Sequence, residues 1–151
     1  MANTQAVCNS FKAEVLSGLH NFSSTNPARS ASTADTFKAA LYLASATLNA
    51  STTVYSATGE VSGAGYTAGG VTVTNGTNPV VNGSQGVWTP TASFTWTGFT
   101  ASAFDTCLIY NSSQGNRSFE VLTFGSQSVS AGTFNLTMPS NVSGSALYQL
   151  A

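Results

Sequence analysis

Apolar residues recur at steps of three and four near the beginning of the chain, which is the spacing of one face of a helix. The pattern predicts an amphipathic helix from Thr4 to Phe22, with the Thr4 hydroxyl as its N-terminal cap. Its apolar stripe consists of Cys8, Phe11, Val15, Leu19 and Phe22. The Ser, Asn and Pro residues over 23–34 predict a loop after this helix.

From Asp35 onwards the pattern changes to short runs of β-branched and aromatic residues, separated by glycine-containing turns. This predicts an all-β domain, an antiparallel two-sheet sandwich with either jelly-roll or immunoglobulin-like strand order. We expect eight strands, at Thr36–Leu43, Val71–Asn75, Val80–Val87, Ser93–Phe99, Asp105–Asn111, Ser118–Phe124, Thr133–Met138 and Ala146–Leu150. Residues 1–34 would then form a helix and loop, and residues 35–151 the sandwich domain.

Two short segments make the strand prediction more specific. Phe94 and Trp96 alternate with threonines, so both aromatic side chains should face the core. Asn82-Gly83 is a strong signal for a two-residue hairpin turn, although a turn there would cut the strand from Val80 short. The helix in front of the sandwich allows two interpretations: an arm that binds a partner, or a cover over one sheet face or edge.

Charge is scarce: only 6% of the residues are charged, and 4 Lys and Arg face 5 Asp and Glu, for a net charge of -1. Without a basic stripe the chain is a poor candidate for binding nucleic acid or anionic membrane surfaces. The N-terminus lacks the basic leader and apolar stretch of a signal peptide, so we expect synthesis in a cytoplasm. Low self-repulsion favours association, and we expect a homo-oligomer.

Catalytic chemistry has little to draw on, because five carboxylates and one histidine are scattered along the chain. Glu14 and His20 would lie on different faces of the predicted helix, and His20 is expected at its surface or end. No nucleophile elbow, phosphate-binding loop or metal-ligand spacing occurs. We therefore expect no enzyme activity, cofactor or metal. Cys8 and Cys107 are expected to be reduced core residues, with a single disulfide as the alternative.

Several segments together carry a resemblance that spans nearly the whole chain. They are Cys8-Asn9-Ser10-Phe11-Lys12, Leu16, Leu19-His20-Asn21-Phe22, residues 36–42, Gly59 to Gly70, Leu108-Ile109-Tyr110-Asn111, residues 121–125 and Gly132-Thr133-Phe134. In this order they resemble small virion proteins of tailed bacteriophages. The resemblance implies a structural role in the virion.

Among virion proteins, a capsid decoration or cement protein agrees best with a compact, β-rich, weakly charged chain. The resemblance then implies the capsid surface as location, the major capsid protein as partner, and a trimer as the favoured oligomer. Two alternatives remain: a tail, collar or fibre-base protein, and a module that adheres to glycans through exposed aromatic side chains, Tyr66 being the best candidate. The partner-binding residues predicted here are Phe11, Val15, Leu19, Phe22 and Tyr66.

Overall fold

The computed structural model describes residues 2–16, 18–22, 34–74 and 78–151 of the 151-residue chain. The described part contains one short helix, α1 (Asn9–Leu16), and is otherwise built from strands. The strands are β1 (Ala6–Val7), β2 (Phe37–Leu43), β3 (Val71–Thr72), β4 (Val80–Asn82), β5 (Gln85–Trp88), β6 (Phe94–Asn111), β7 (Arg117–Leu136) and β8 (Tyr148–Leu150).

The strands form two antiparallel sheets, which confirms the predicted all-β sandwich with one N-terminal helix. The larger sheet has the order β1-β7-β6-β2-β3, and the smaller one has the order β4-β5-β8. β6 and β7 are the two longest strands of the larger sheet and form a hairpin, whose turn is residues 112–116. Asn111 and Arg117 form the last pair of the hairpin next to this turn, which contains Gly115 at φ 63°.

The two hairpin strands are much longer than predicted, because four of the predicted strands are joined in pairs. β6 unites the strands expected at Ser93–Phe99 and Asp105–Asn111, and β7 unites those expected at Ser118–Phe124 and Thr133–Met138. β-Bulges with one residue at positive φ occur at Gly98 and Ala103 in β6 and at Gly125 and Ala131 in β7. Gly98 lies within a predicted strand, and the other three lie in the gaps between predicted strands. A bulge needs the same backbone freedom as a turn, so those gaps were wrongly predicted to separate strands.

The helix is shorter than predicted at both ends. It ends at Leu16 because Gly18 adopts φ 71°, and the amides of Gly18 and Leu19 donate to the carbonyls of Val15 and Glu14. This is a Schellman motif, which closes a helix with a left-handed glycine. At the other end Ala6 and Val7 pair with β7, and the Thr4 amide donates to Leu48, so Thr4 is not the helix cap.

The core occupies both sides of the larger sheet, and β2 is buried along most of its length. On one side Phe11 and Phe22 of the N-terminal segment and Trp88 of the smaller sheet form an aromatic cluster with Phe37 and Phe119 of the larger sheet. Phe94 and Trp96 are buried, as their alternation predicted. Cys8 and Cys107 are buried and free, in agreement with the expectation that both are reduced core residues.

The smaller sheet begins with a hairpin at the predicted place, but its turn lies one residue later than the predicted Asn82-Gly83. Asn82 pairs with Gln85, so Gly83 and Ser84 are the two turn residues, and Gly83 adopts φ 63°. A glycine at the first central position is typical of a type II′ turn. The strand expected over Val80–Val87 is therefore divided into β4 and most of β5, as the competing turn signal indicated.

Candidate functional site

Two of the five predicted partner-binding residues lie inside the fold. Phe11 is 0% exposed, with its ring centroid 4.5 Å from that of Phe119, and Phe22 stacks on Phe37 at 4.6 Å. Their side chains contribute to the hydrophobic core. Val15 and Leu19 are half-buried, and Leu19 lies beyond the end of α1, so the predicted stripe is not one helical face.

Tyr66, the fifth predicted residue, belongs to a separate cluster of hydrogen bonds around the Glu60 carboxylate. It donates to Glu60 Oε1 at 2.7 Å and accepts from the Leu41 amide at 3.0 Å. Tyr55 donates to Glu60 Oε2 at 2.6 Å, and the Gly69 amide donates to Oε1 at 2.7 Å. Burial, followed by the hydrogen bond and charge of Glu60, raises the pKa of both tyrosines, so their phenols remain protonated.

A second cluster joins the N-terminal segment to the turn of the β6–β7 hairpin. His20 Nε2 lies 2.8 Å from Glu14 Oε2, and Arg117 Nη1 donates to Glu14 Oε1 at 2.7 Å. On its other side, His20 Nδ1 lies 3.0 Å from Asn111 Nδ2. The prediction that Glu14 and His20 lie on different helix faces is wrong, because the helix ends at Leu16 and the chain turns His20 back to Glu14. His20 is buried and has no surface role.

The contacts of Asn111 determine which protons His20 carries. Asn111 Oδ1 accepts from the Ser113 amide at 3.1 Å, so its Nδ2 group must face His20 and Asp35. His20 Nδ1 therefore accepts a hydrogen bond, and Nε2–H donates to Glu14. In this arrangement both ring nitrogens of His20 are engaged, and the ring connects Glu14 to Asn111.

The other carboxylates also belong to the fold. Asp35 accepts from Asn111 and from Gln114 Nε2, and Asp105 accepts from Asn3 Nδ2 at 2.8 Å. Glu120 is buried in β7, and burial raises its pKa to about 8. The described residues contain no group of three or more His, Cys, Asp or Glu that could hold a metal ion. Among them there is also no helix long and apolar enough to cross a membrane.

The smaller sheet exposes apolar side chains on one of its faces. Val81 pairs with Gly86, and Gly86 pairs with Leu150, so these three residues form a row across β4, β5 and β8. Val81 is 81% exposed and Leu150 is 59% exposed. We call this row, Val81, Gly86 and Leu150, the overhang.

The overhang continues the core-facing side of its sheet. Trp88 and Tyr148 pair with each other two residues away from Gly86 and Leu150, and side chains two apart on a strand share a face. Trp88 is 2% exposed, so this face of the sheet packs on the core at Trp88. At Val81, which is 81% exposed, the same face lies beyond the core. On the opposite face Ser143 bonds Asn82 and Gln85, and Val87 is buried, whereas Val80 is 46% exposed.

An apolar groove of about 180 Å³ lies beside the overhang. It is lined by Val15, Phe22, Pro79, Gly86, Val87, Trp88, Tyr148 and Leu150. The structure thus brings together two predicted partner-binding residues, Val15 and Phe22, at one surface and leaves Tyr66 elsewhere. Val81 and Leu150 were not predicted; the apolar run Pro79-Val80-Val81 was the available signal, but it does not indicate which valine is covered.

Comparison of the chain with protein-family models, with curated proteins and with solved structures gives no match.

Proposed function

We propose that the chain is a structural protein of a tailed-phage virion, a decoration or cement protein that binds the shell of the major capsid protein and stabilises it. The observation that supports this most is the use of the ionisable groups. All five carboxylates are bonded within the fold or buried in it, as the clusters around Glu14 and Glu60 illustrate. In the described clusters the carboxylates bind side chains and amides of the fold itself.

The surface that results suits permanent contact with other protein. Residues 61–104 and 121–151 contain no Asp, Glu, Lys or Arg, and together they form most of the long hairpin and the whole smaller sheet. Such a surface has little long-range electrostatic steering and can be buried without desolvating charges. A protein with this surface works by shape and by burial, which is the mode of action of a shell-stabilising component.

Stabilisation of a shell follows from linkage. A protein that binds the mature shell more tightly than its precursor shifts the equilibrium toward the mature shell by its differential affinity. Many identical contacts in a lattice add up, so single contacts of a few kcal/mol are sufficient.

The alternative of a tail, collar or fibre-base protein uses the same surface properties and differs in copy number. The glycan-adhesion alternative has less support, because Tyr66 uses its hydroxyl on Glu60 and Leu41. The large apolar side chains that the described residues expose are aliphatic: Val54, Val80, Val81, Val142 and Leu150. A sugar-stacking surface requires an exposed aromatic face.

The test is a comparison of virions with particles from a phage in which the gene for this chain is deleted. We expect the deleted particles to release DNA at a lower temperature, and added purified chain to restore the wild-type release temperature. Equal release temperatures with and without the chain would contradict a shell-stabilising role.

A further inference from the structure

We propose that the overhang is a self-association surface, on which a second copy of this chain packs face to face about a two-fold axis. This inference concerns the chain alone and does not depend on the virion role. The sheet face that packs on the core at Trp88 and Tyr148 continues outward. There it carries Val81 and Leu150, which the described part of the chain leaves exposed. An apolar continuation of a core face is typical of a protein interface.

The overhang is complementary to itself. Val81 projects from β4, and its direct neighbour across the strands is Gly86, which has no side chain. A Cβ atom built on Gly86 meets nothing within 4 Å, so the position is an open notch beside the Val81 side chain. In a two-fold contact, residue i of one copy meets residue j of the other and the reverse. Val81 of each copy would then fill the notch at Gly86 of the other copy, with both Leu150 side chains at the margin.

Charge does not oppose this pairing. The three strands of the smaller sheet contain no Asp, Glu, Lys or Arg, so two identical copies face each other without like-charge repulsion. Charged side chains, which are one of the features that keep exposed strands apart, are absent from these three strands.

The two longer segments that lie outside the described residues offer no better occupant. These segments, residues 23–33 and 75–77, contain no apolar side chain larger than proline. They cannot provide the large aliphatic or aromatic group that would bury Val81 and Leu150. A second copy does provide one, namely Val81 itself.

The experiment is sedimentation velocity of the purified full chain over a concentration series from roughly micromolar to millimolar, with three variants. Val81→Thr keeps the shape of the side chain and removes its apolar character. Gly86→Thr fills the notch. Val80→Thr is the matched control, because it makes the same chemical change on the adjacent residue, which lies on the opposite face of β4.

We expect a concentration-dependent dimer for the wild type and for Val80→Thr, and a dissociation constant at least about tenfold higher for Val81→Thr and Gly86→Thr. Thermal unfolding of Gly86→Thr at a concentration where the wild type is monomeric should be unchanged, since a Cβ fits there. A wild type that is monomeric at all concentrations would overturn the proposal. So would a dimer or trimer that is unaffected by both Val81→Thr and Gly86→Thr.

Discussion

Asn111 and His20 are 91 residues apart in the sequence, and their side chains meet with 3.0 Å between Asn111 Nδ2 and His20 Nδ1. Asn111 is fully buried, and its second Nδ2 hydrogen bonds Asp35 Oδ2 at 2.7 Å. The side-chain amide of Asn111, the last residue of β6, thus connects His20 of the N-terminal segment with Asp35 at the start of the sandwich. The N-terminal segment is therefore held by this buried polar contact as well as by its apolar residues.

Replacing Asn111 should therefore destabilise the protein strongly. In Asn111→Ala, His20 and Asp35 lose a buried donor, and the expected decrease in the free energy of unfolding is about 1–3 kcal/mol. Chemical denaturation monitored by tryptophan fluorescence measures it. Asn135→Ala is the control: Asn135 is exposed and bonds only exposed Thr95 and Thr137 hydroxyls, so its effect should stay within about 0.5 kcal/mol. Equal effects of the two variants would contradict the role given to Asn111.

Removal of residues 1–22 distinguishes the two interpretations of the N-terminal segment. β1 pairs with β7, and Phe11 and Phe22 lie in the core, so the segment packs as a cover on the sandwich. We expect the truncated chain to be unfolded or aggregated by circular dichroism and size-exclusion chromatography. A truncated chain that folds and unfolds cooperatively would instead identify the segment as a separate arm.

Stability should fall as the pH rises, because of Glu120. Its pKa in the folded chain is about 8, whereas the ordinary value is 4.5. Between these values the unfolded chain has lost the proton that the folded chain keeps, so raising the pH favours unfolding. The full loss from this group is roughly 3–5 kcal/mol, present above about pH 8. Glu120→Gln cannot ionise, and urea denaturation between pH 4.5 and 8 should show a flatter profile for it. Parallel profiles for the variant and the wild type would refute this explanation.

Alternation and turn residues predicted most of the strands, because both are local properties of the chain. The pattern around Phe94 and Trp96 correctly assigned both aromatic side chains to the core. The length of β6 and β7 could not be predicted, since a glycine in a bulge, such as Gly125, and a glycine in a turn have the same sequence signature. The environment of His20 was also beyond prediction, because it depends on Gly18 ending the helix and on a contact with Asn111.

The overhang shows the same limit for the candidate site. Val80 and Val81 are equivalent in sequence, and only the register with Val87 and Gly86 shows which one lies on the core-facing side of the sheet. The predicted residues Phe11 and Phe22 were chosen for their apolar character, which the core uses. Apolar periodicity does not distinguish a buried stripe from a partner-binding stripe.

The bulges of the hairpin offer a stabilising substitution. Ala131 has φ 48°, a conformation that costs an L-residue about 1–2 kcal/mol and glycine almost nothing. After the larger backbone entropy of glycine in the unfolded state is subtracted, Ala131→Gly should raise the free energy of unfolding by about 0.5–1 kcal/mol. Ala101→Gly, in the same ribbon without a positive φ, should lower it by a similar amount. Thermal unfolding of both variants measures the difference, and a destabilised Ala131→Gly would contradict the strain at this bulge.

The most direct test of the virion role is the copy number of this chain per particle, measured by quantitative mass spectrometry of purified virions against the major capsid protein. A decoration protein of the shell should give a ratio near one to one or another simple fraction of the lattice. A handful of copies per particle, or none, would contradict the role as a capsid decoration protein.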